Sequence, residues 1–178
     1  ERALEKLVQL TELLRRVLRS EGDFTTLGKE LELIRLYLDI EHARFEERLR
    51  VEIDVPRGLH DIPMPALVLQ PLVENAIKHG IAPSSGGGLV EVRAALDPPR
   101  PPSAAPTLTL TVHDTGCATA GTRPARGIGL RNVEDRLRHH FGDAASLRFE
   151  SGREGTRVTL RIPARTAEAA PRAAEARS

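Results

Sequence analysis

Two stretches near the start of the chain repeat their apolar residues at the spacing of an amphipathic helix. In residues 1–19, leucine and valine recur every three or four positions, with charged residues between them. A second such run covers 27–49 and follows a short segment that ends in the helix-starting pair Thr25-Thr26. The spacing predicts two helices, each with an apolar stripe that needs a partner, as in a helical hairpin or a dimerisation surface.

From Val51 onward the apolar spacing changes to two. Val51, Ile53 and Val55 alternate with acidic residues, which predicts a strand with one buried face. The remaining pattern predicts helices over 66–79, with a kink or restart at Pro71, and over 128–141. Further strands are expected over 89–96, 107–114, 146–151 and 156–162.

The order of these elements predicts the fold class. After the N-terminal helices it runs strand, helix, strand, strand, helix, strand, strand, and several connections are too short for parallel crossovers. We therefore expect an α+β fold: a two-layer α/β sandwich in which helices cover a mixed, mostly antiparallel sheet. The segment 97–106, in which five of ten residues are proline, is expected to be an exposed connection, and the tail from 164 to be disordered.

Composition narrows the possible functions. A chain of 178 residues is long enough for one domain with a real core. A net charge of +1 and an aromatic content of 3% argue against nucleic acid as a partner. The single Cys117 excludes an internal disulfide, and no apolar run reaches membrane-spanning length, so we expect no direct membrane contact by this chain.

The helix over 66–79 gathers polar groups on one arc. Glu74, Asn75, Lys78 and His79 lie opposite the apolar residues of the same helix. One interpretation is a solvated face with a Glu74–Lys78 pair four residues apart. The other is a site for a metal-bound polyphosphate, because a carboxylate, an amide oxygen, an ammonium and an imidazole suit that ligand.

Two strand ends and one helix start carry further candidate chemistry. Asp114 shares the parity of the apolar residues in its strand, so an acid points inward before Gly116, where it either makes a local turn or awaits a ligand. Thr156 places a hydroxyl on the inward face of the last strand. The sequence Gly127-Ile128-Gly129-Leu130 opens a helix, where free amides and the helix dipole favour phosphate.

These motifs, in this order, resemble the catalytic domain of the sensor histidine kinases, a branch of the GHKL superfamily of ATP-binding domains. The resemblance is carried by Glu74 to Gly80, Asp114 to Gly116, Gly127 to Leu130 and Gly155-Thr156. The stretches 30–38, 44–46 and 69–75 further resemble the LytS-like subfamily. Together the match covers roughly residues 5 to 163, and it implies the Bergerat ATP-binding fold.

The resemblance also implies roles for the candidate residues. Asn75 matches the residue that binds Mg²⁺, and Glu74 the neighbouring catalytic acid that activates the nucleophile. Lys78 and His79 fall at phosphate and ribose contacts, while Asp114, with Gly116 and Thr156, matches the adenine site. The segment Gly127, Ile128, Gly129 and Leu130 matches the lid that closes on the phosphates. The implied ligands are ATP and Mg²⁺.

Two departures from the family pattern stand out. Ala118 replaces the second glycine usual after Asp114, which is expected to stiffen the lid or weaken nucleotide binding. The upstream phosphoacceptor histidine, expected in an Asn-Pro-His-Phe-like motif, is absent from this sequence. We therefore expect residues 1–50 to be the remnant of a dimerisation region and linker, 51–163 the ATP-binding domain and 164–178 a tail.

The implied function is the ATP-binding core of a two-component kinase. It would transfer the γ-phosphoryl group of ATP to a histidine outside this chain and thence to an aspartate of a response regulator. The parent protein is expected to be a homodimer, membrane-anchored through a missing upstream segment, with this domain in the cytoplasm. Two alternatives remain: a serine kinase of the anti-sigma-factor type, and a degenerate nucleotide-binding module used for docking.

Overall fold

The computed structural model of the chain describes residues 24–99, 105–116 and 128–164. Several expectations fall outside these residues: the helix over 1–19, Cys117, Ala118, Gly127 and the tail beyond Ala164. Ala164 itself, expected to begin the disordered tail, is buried, and its N–H donates to the carbonyl oxygen of Pro106 at 2.7 Å. In chain order the strands and helices are β1 (Phe24–Thr26), α1 (Leu27–Phe45), β2 (Leu49–Asp54), β3 (Pro63–Pro65), α2 (Leu69–Asn75), β4 (Gly88–Asp97), β5 (Thr107–Asp114), α3 (Ile128–Phe141), β6 (Ser146–Gly152) and β7 (Gly155–Pro163).

Five of the strands form one sheet in the order β2-β4-β5-β7-β6. Strand β2 pairs with β4 in parallel, and the other three pairs are antiparallel. The short strands β1 and β3 form a separate antiparallel pair. The parallel pair arises because the connection from β2 to β4 passes through α2, whereas the other neighbours are joined without a crossover helix between them, except where α3 precedes β6.

One face of the sheet packs against the helices. Its alternating residues on β4, β5 and β7 are buried together with the apolar stripes of α1, α2 and α3 in a single cluster. On the opposite face, side chains such as those of Arg93 and Arg157 are exposed. The expected α+β sandwich with a mixed, mostly antiparallel sheet is confirmed. The division of the chain at residue 50 stays a prediction, since α1 contributes to this same core.

The helix expected over 27–49 ends earlier, at Phe45. Glu46 adopts a positive φ of 50°, which an α-helix does not accommodate, and residues Glu46–Arg48 form a single tighter turn. Leu49, assigned from its spacing to the helical stripe, is instead the first residue of β2 and is buried there. The apolar spacing missed the boundary because Leu49 is buried in either element.

The helix expected over 66–79 begins later, at Leu69. Pro71 therefore lies in the first helical turn, where a backbone N–H has no partner within the helix, and its missing N–H costs nothing there. Pro71 marks the start of the helix rather than a kink within it. Beyond Asn75 the helix widens into a π-helical turn over Ala76–Ile81.

A carboxylate from α1 caps the start of α2. Glu30 is 1% exposed, and its two oxygens accept hydrogen bonds from the backbone N–H groups of Leu67, Val68 and Leu69 at 2.7, 3.0 and 2.9 Å. Leu67 has a φ of 58°, a strained value for leucine that the surrounding contacts must hold. Burial raises the pKa of Glu30, while the three N–H donors and the charge of Arg136 oppose that shift.

Arg136 brings α3 into the same junction, because its guanidinium donates to the carbonyl oxygen of Ala66. Helices α1, α2 and α3 therefore meet at one point, just before the first turn of α2. Their relative placement depends on a few polar contacts in addition to apolar packing.

We expect Glu30→Gln to lower the free energy of unfolding by about 2 kcal/mol, because a glutamine offers one acceptor oxygen and leaves backbone N–H groups of this turn unpaired. Chemical denaturation measures the effect. The matched control is Glu32→Gln on the exposed side of the same helix, expected to change stability by less than about 0.5 kcal/mol. Equal effects of the two substitutions would contradict the capping role.

Candidate functional site

The candidate site is centred on Asp114, the last residue of β5. Its side chain is 3% exposed, as the inward parity of the sequence predicts. One carboxylate oxygen accepts a hydrogen bond from the N–H of Gly116 at 3.2 Å, and the N–H of Thr156 on β7 also donates to the carboxylate. Burial raises the pKa of Asp114 to about 6, although these donors and nearby His113 oppose the shift. A buried acceptor of this kind fits a ligand that brings its own N–H donor.

Three glycines pack around Asp114 so closely that no larger residue fits. A Cβ built on Gly80 would lie 2.1 Å from Asp114 Oδ1, and one on Gly155 would lie 1.7 Å from the Asp114 carbonyl oxygen. A Cβ on Gly116 would meet the backbone of Gly80 at 2.1 Å. Gly155 also has a φ of 110°, a conformation that glycine adopts readily. Glycine backbone therefore contacts the acid and the end of its strand at these points, beside the side chains of its cross-strand neighbours on β4 and β7.

The π-helical turn after α2 brings Gly80 to Asp114. The wider turn is closed by a hydrogen bond from the N–H of Ala82 to the carbonyl of Ile77 at 2.8 Å, five residues apart. On the same turn, Lys78 and His79 are exposed. The π-turn therefore carries both Gly80, which contacts Asp114, and the exposed side chains of Lys78 and His79, which can reach a ligand bound beside Asp114.

Glu74 and Asn75 lie at the end of α2, immediately before the π-turn, and both are half-buried. Glu74 Oε1 accepts a hydrogen bond at 3.0 Å from the side-chain amide of Gln70, one turn earlier. Glu74 and Asn75 therefore lie at the start of the π-turn, and Gly80, which contacts Asp114, lies near its end.

The start of α3 lies beside α2. A Cβ on Gly129 would be 3.7 Å from the Pro71 side chain, one helical turn before Asn75. Gly129 itself is exposed, whereas Leu130 is 3% exposed and fixes the first turn of α3 in the core. Any contact of Leu130 with a ligand would therefore involve its backbone. Of Ile128 the structure describes only the backbone, as the first residue of α3.

Thr156 is half-buried opposite Asp114 in the β5–β7 register. Its N–H reaches the Asp114 carboxylate, while its hydroxyl lies 3.4 Å from the hydroxyl of Ser151 on β6. Thr156 therefore contacts the Asp114 carboxylate through its backbone N–H rather than through its hydroxyl.

Sequence reasoning missed the buried contacts of Glu30 and Gln70. It included Gly80 and Gly155 in the motifs that carry the resemblance, but it did not predict their close packing at Asp114. For Glu30 a signal existed, since this acid falls within the apolar stripe of α1 between Leu27 and Leu31 rather than on the polar face. Gln70 likewise follows directly on the buried run 66–69. The glycine contacts join elements far apart in the chain and leave no local signal.

No group of three or more His, Cys, Asp or Glu side chains converges as a metal site within the part of the chain that the structure describes. A hard cation here would be shared between the amide oxygen of Asn75 and oxygens that the ligand supplies. Among the described helices, none is both long enough and apolar enough to span a bilayer.

A buried acceptor with glycine backbone packed beside it is joined by one turn to a polar helix end, within a two-layer sandwich of sheet and helices. Family comparisons identify the class of protein. Residues 60–166 match the family described as histidine kinase-, DNA gyrase B- and HSP90-like ATPase, and residues 1–49 match a histidine kinase family. The chain belongs to this ATPase family, as a LytS-like histidine kinase catalytic domain.

Individual relatives are sensor kinases. The chain is 36% identical over 164 residues to sensor histidine kinase BtsS of Escherichia coli K12, a match that covers 92% of this chain and 28% of that protein. It is 33% identical to sensor histidine kinase YesM of Bacillus subtilis, with 93% and 28% covered. The chain thus spans less than a third of the length of these relatives.

Solved structures agree on the fold. A blue-light activated histidine kinase from Erythrobacter litoralis aligns with a TM-score of 0.58 at 22% identity, over 78% of this chain and 42% of that one. The catalytic domain of histidine kinase ThkA aligns at 0.53 and 16% identity, over 80% and 97%.

Because Asp114 is buried, we expect its ionised form to lower the free energy of unfolding by an amount that depends on pH. Below its usual pKa of 3.8 the carboxyl is protonated both folded and unfolded, whereas above about 6 it is ionised in both, so stability is lost as pH rises between these values. We expect Asp114→Asn to raise the free energy of unfolding by about 1 to 2 kcal/mol at pH 7.5 without nucleotide, because two pKa units correspond to about 3 kcal/mol and the buried amide retains part of the cost.

Urea unfolding at pH 7.5 and pH 4 measures this difference, which should shrink toward zero at the lower pH. Asp143→Asn, at an exposed position, is the control and should leave stability unchanged at both values. A loss of stability in Asp114→Asn at neutral pH would contradict the expected cost.

Proposed function

We propose that this domain binds ATP with its adenine at Asp114. The observation that carries the proposal is the buried carboxylate with glycine backbone packed around it. The exocyclic amino group of adenine is a further N–H donor, and a carboxylate that accepts from the N–H groups of Gly116 and Thr156 still has acceptor capacity for it. The glycines Gly80, Gly116 and Gly155 let the backbone pack closely against the acid and the end of its strand, where no larger residue fits.

The triphosphate would extend from Asp114 along the π-turn toward Asn75. Lys78 and His79 are exposed on that turn and would contact phosphate and ribose. The first turn of α3 at Gly129, beside Pro71, supplies backbone amides and the positive end of a helix dipole. Mg²⁺ would be held by the Asn75 amide oxygen and phosphate oxygens, where it neutralises phosphate charge; this donor set fits the ion.

The reaction we propose is phosphoryl transfer from ATP to a histidine of an acceptor segment outside this sequence. The imidazole nitrogen forms a bond to the γ-phosphorus as the bond to the β–γ bridging oxygen breaks and ADP leaves. Glu74 accepts the proton released from the other ring nitrogen. The phosphoryl group would pass on to an aspartate of a response regulator, in a parent homodimer whose kinase domain lies in the cytoplasm.

We expect calorimetry to detect Mg²⁺-dependent ATP binding by the wild-type chain. Asp114→Asn should weaken it about 10- to 100-fold, because a charged acceptor for the adenine amino group is lost. Asn75→Ala should remove the Mg²⁺ dependence but leave Mg²⁺-free binding intact. Asp143→Asn is the matched control. If the folded wild-type chain bound no ATP, the domain would be a degenerate docking module.

For transfer, the acceptor segment is a synthetic helix that carries an Asn-Pro-His-Phe motif, supplied in trans with γ-labelled ATP. We expect acid-labile label on this segment and a transfer rate at least about 100-fold lower in Glu74→Gln, since general base catalysis contributes this much. The exposed Glu47→Gln is the control. An unchanged rate in Glu74→Gln would remove the base role, and acid-stable label on serine would favour the anti-sigma type of kinase.

A further inference from the structure

We propose that Gln70 is the positioning residue for Glu74: its side-chain amide holds the Glu74 carboxylate in the orientation that proton transfer needs. The inference rests on the proposed function of Glu74 and adds a residue to it. Its basis is a hydrogen bond of 3.0 Å from Gln70 Nε2 to Glu74 Oε1.

Gln70 is an unusual residue to find in the core. It is 3% exposed, and among the polar side chains that the structure describes, only those of Glu30, Glu41 and Asp114 are also buried. A buried primary amide is costly unless it is hydrogen-bonded, and leucine in its place would add apolar contacts without that cost. Core packing alone therefore gives no reason for an amide at this position.

The placement of Gln70 makes it a fixed donor. It is the second residue of α2, directly after Leu69, whose backbone N–H is bound by Glu30 at 2.9 Å. The start of this helix is thus held by α1, while Glu74 lies one turn further on, at the less regular π-helical end. The spacing of four residues puts both side chains on the same face of the helix.

The hydrogen bond is compatible with a role of Glu74 as a base. A glutamate side chain has several rotatable bonds, and a hydrogen bond from a buried donor restricts the orientations of the carboxylate. The neutral amide orients the carboxylate without adding a positive charge beside it, as lysine or arginine would.

The half-buried Tyr37 of α1 lies within range of the negative charge of Glu74. Burial raises the pKa of Tyr37, and the charges of Glu41 and Glu74 and a hydrogen bond with Glu41 raise it further. Helix α1 therefore approaches Glu74 as well as the start of α2.

The test is a double-mutant cycle on the transfer reaction described above. Gln70→Leu removes the donor at similar size, and Gln70→Met repeats the change with an unbranched side chain in case leucine fails to fold. We expect the transfer rate to fall about 10- to 100-fold, since a small misplacement of a catalytic group costs this much, with the Kd for ATP within twofold of wild type.

The decisive comparison is made in the Glu74→Gln background. If Gln70 acts through Glu74, removing its amide there should change the residual rate less than twofold. The same fold-decrease in both backgrounds would mean a purely structural role and overturn the inference, as would a wild-type rate in Gln70→Leu and Gln70→Met. An unchanged rate in Glu74→Gln alone would overturn the base role of Glu74, and the inference with it.

Discussion

The carboxylate of Glu30 is the contact on which the arrangement of the helices most depends. It binds three consecutive backbone N–H groups at the start of α2, and the Arg136 guanidinium binds the carbonyl just before them. The helix that carries Gln70, Glu74 and Asn75 is only seven residues long before it widens. So short a helix has little stability of its own, and its direction is set by these contacts at its start.

Regular elements could be predicted from the sequence with good boundaries. Strand β5 and helix α3 have the predicted bounds, because alternation or helical spacing in each is continuous up to a glycine, proline or polar stretch. The end of α1 and the start of α2 were misplaced for a common reason. There the backbone is fixed by distant groups: Glu46 and Leu67 have positive φ values that no local pattern in this sequence indicates.

The candidate site divides in the same way. The inward direction of Asp114 follows from strand parity, and the polar arc from Glu74 to His79 follows from helical spacing. The contact between Gly80 and Asp114 depends on a π-turn, because one extra residue in the turn changes which residue faces β5. The hydrogen bond between Gln70 and Glu74 could be predicted only with the correct start of α2, which the sequence did not indicate. These two contacts of the site therefore required the structure.

The burial of Asp114 also bears on how such a sequence drifts under mutation. When a binding residue lowers the stability of the fold that contains it, its replacement by a neutral residue is favoured wherever binding is not required. Random change would therefore tend to erase this acid before it erased the apolar core around it. An aspartate that remains here, beside glycines that no larger residue could replace, is what we expect if the domain uses this site as proposed.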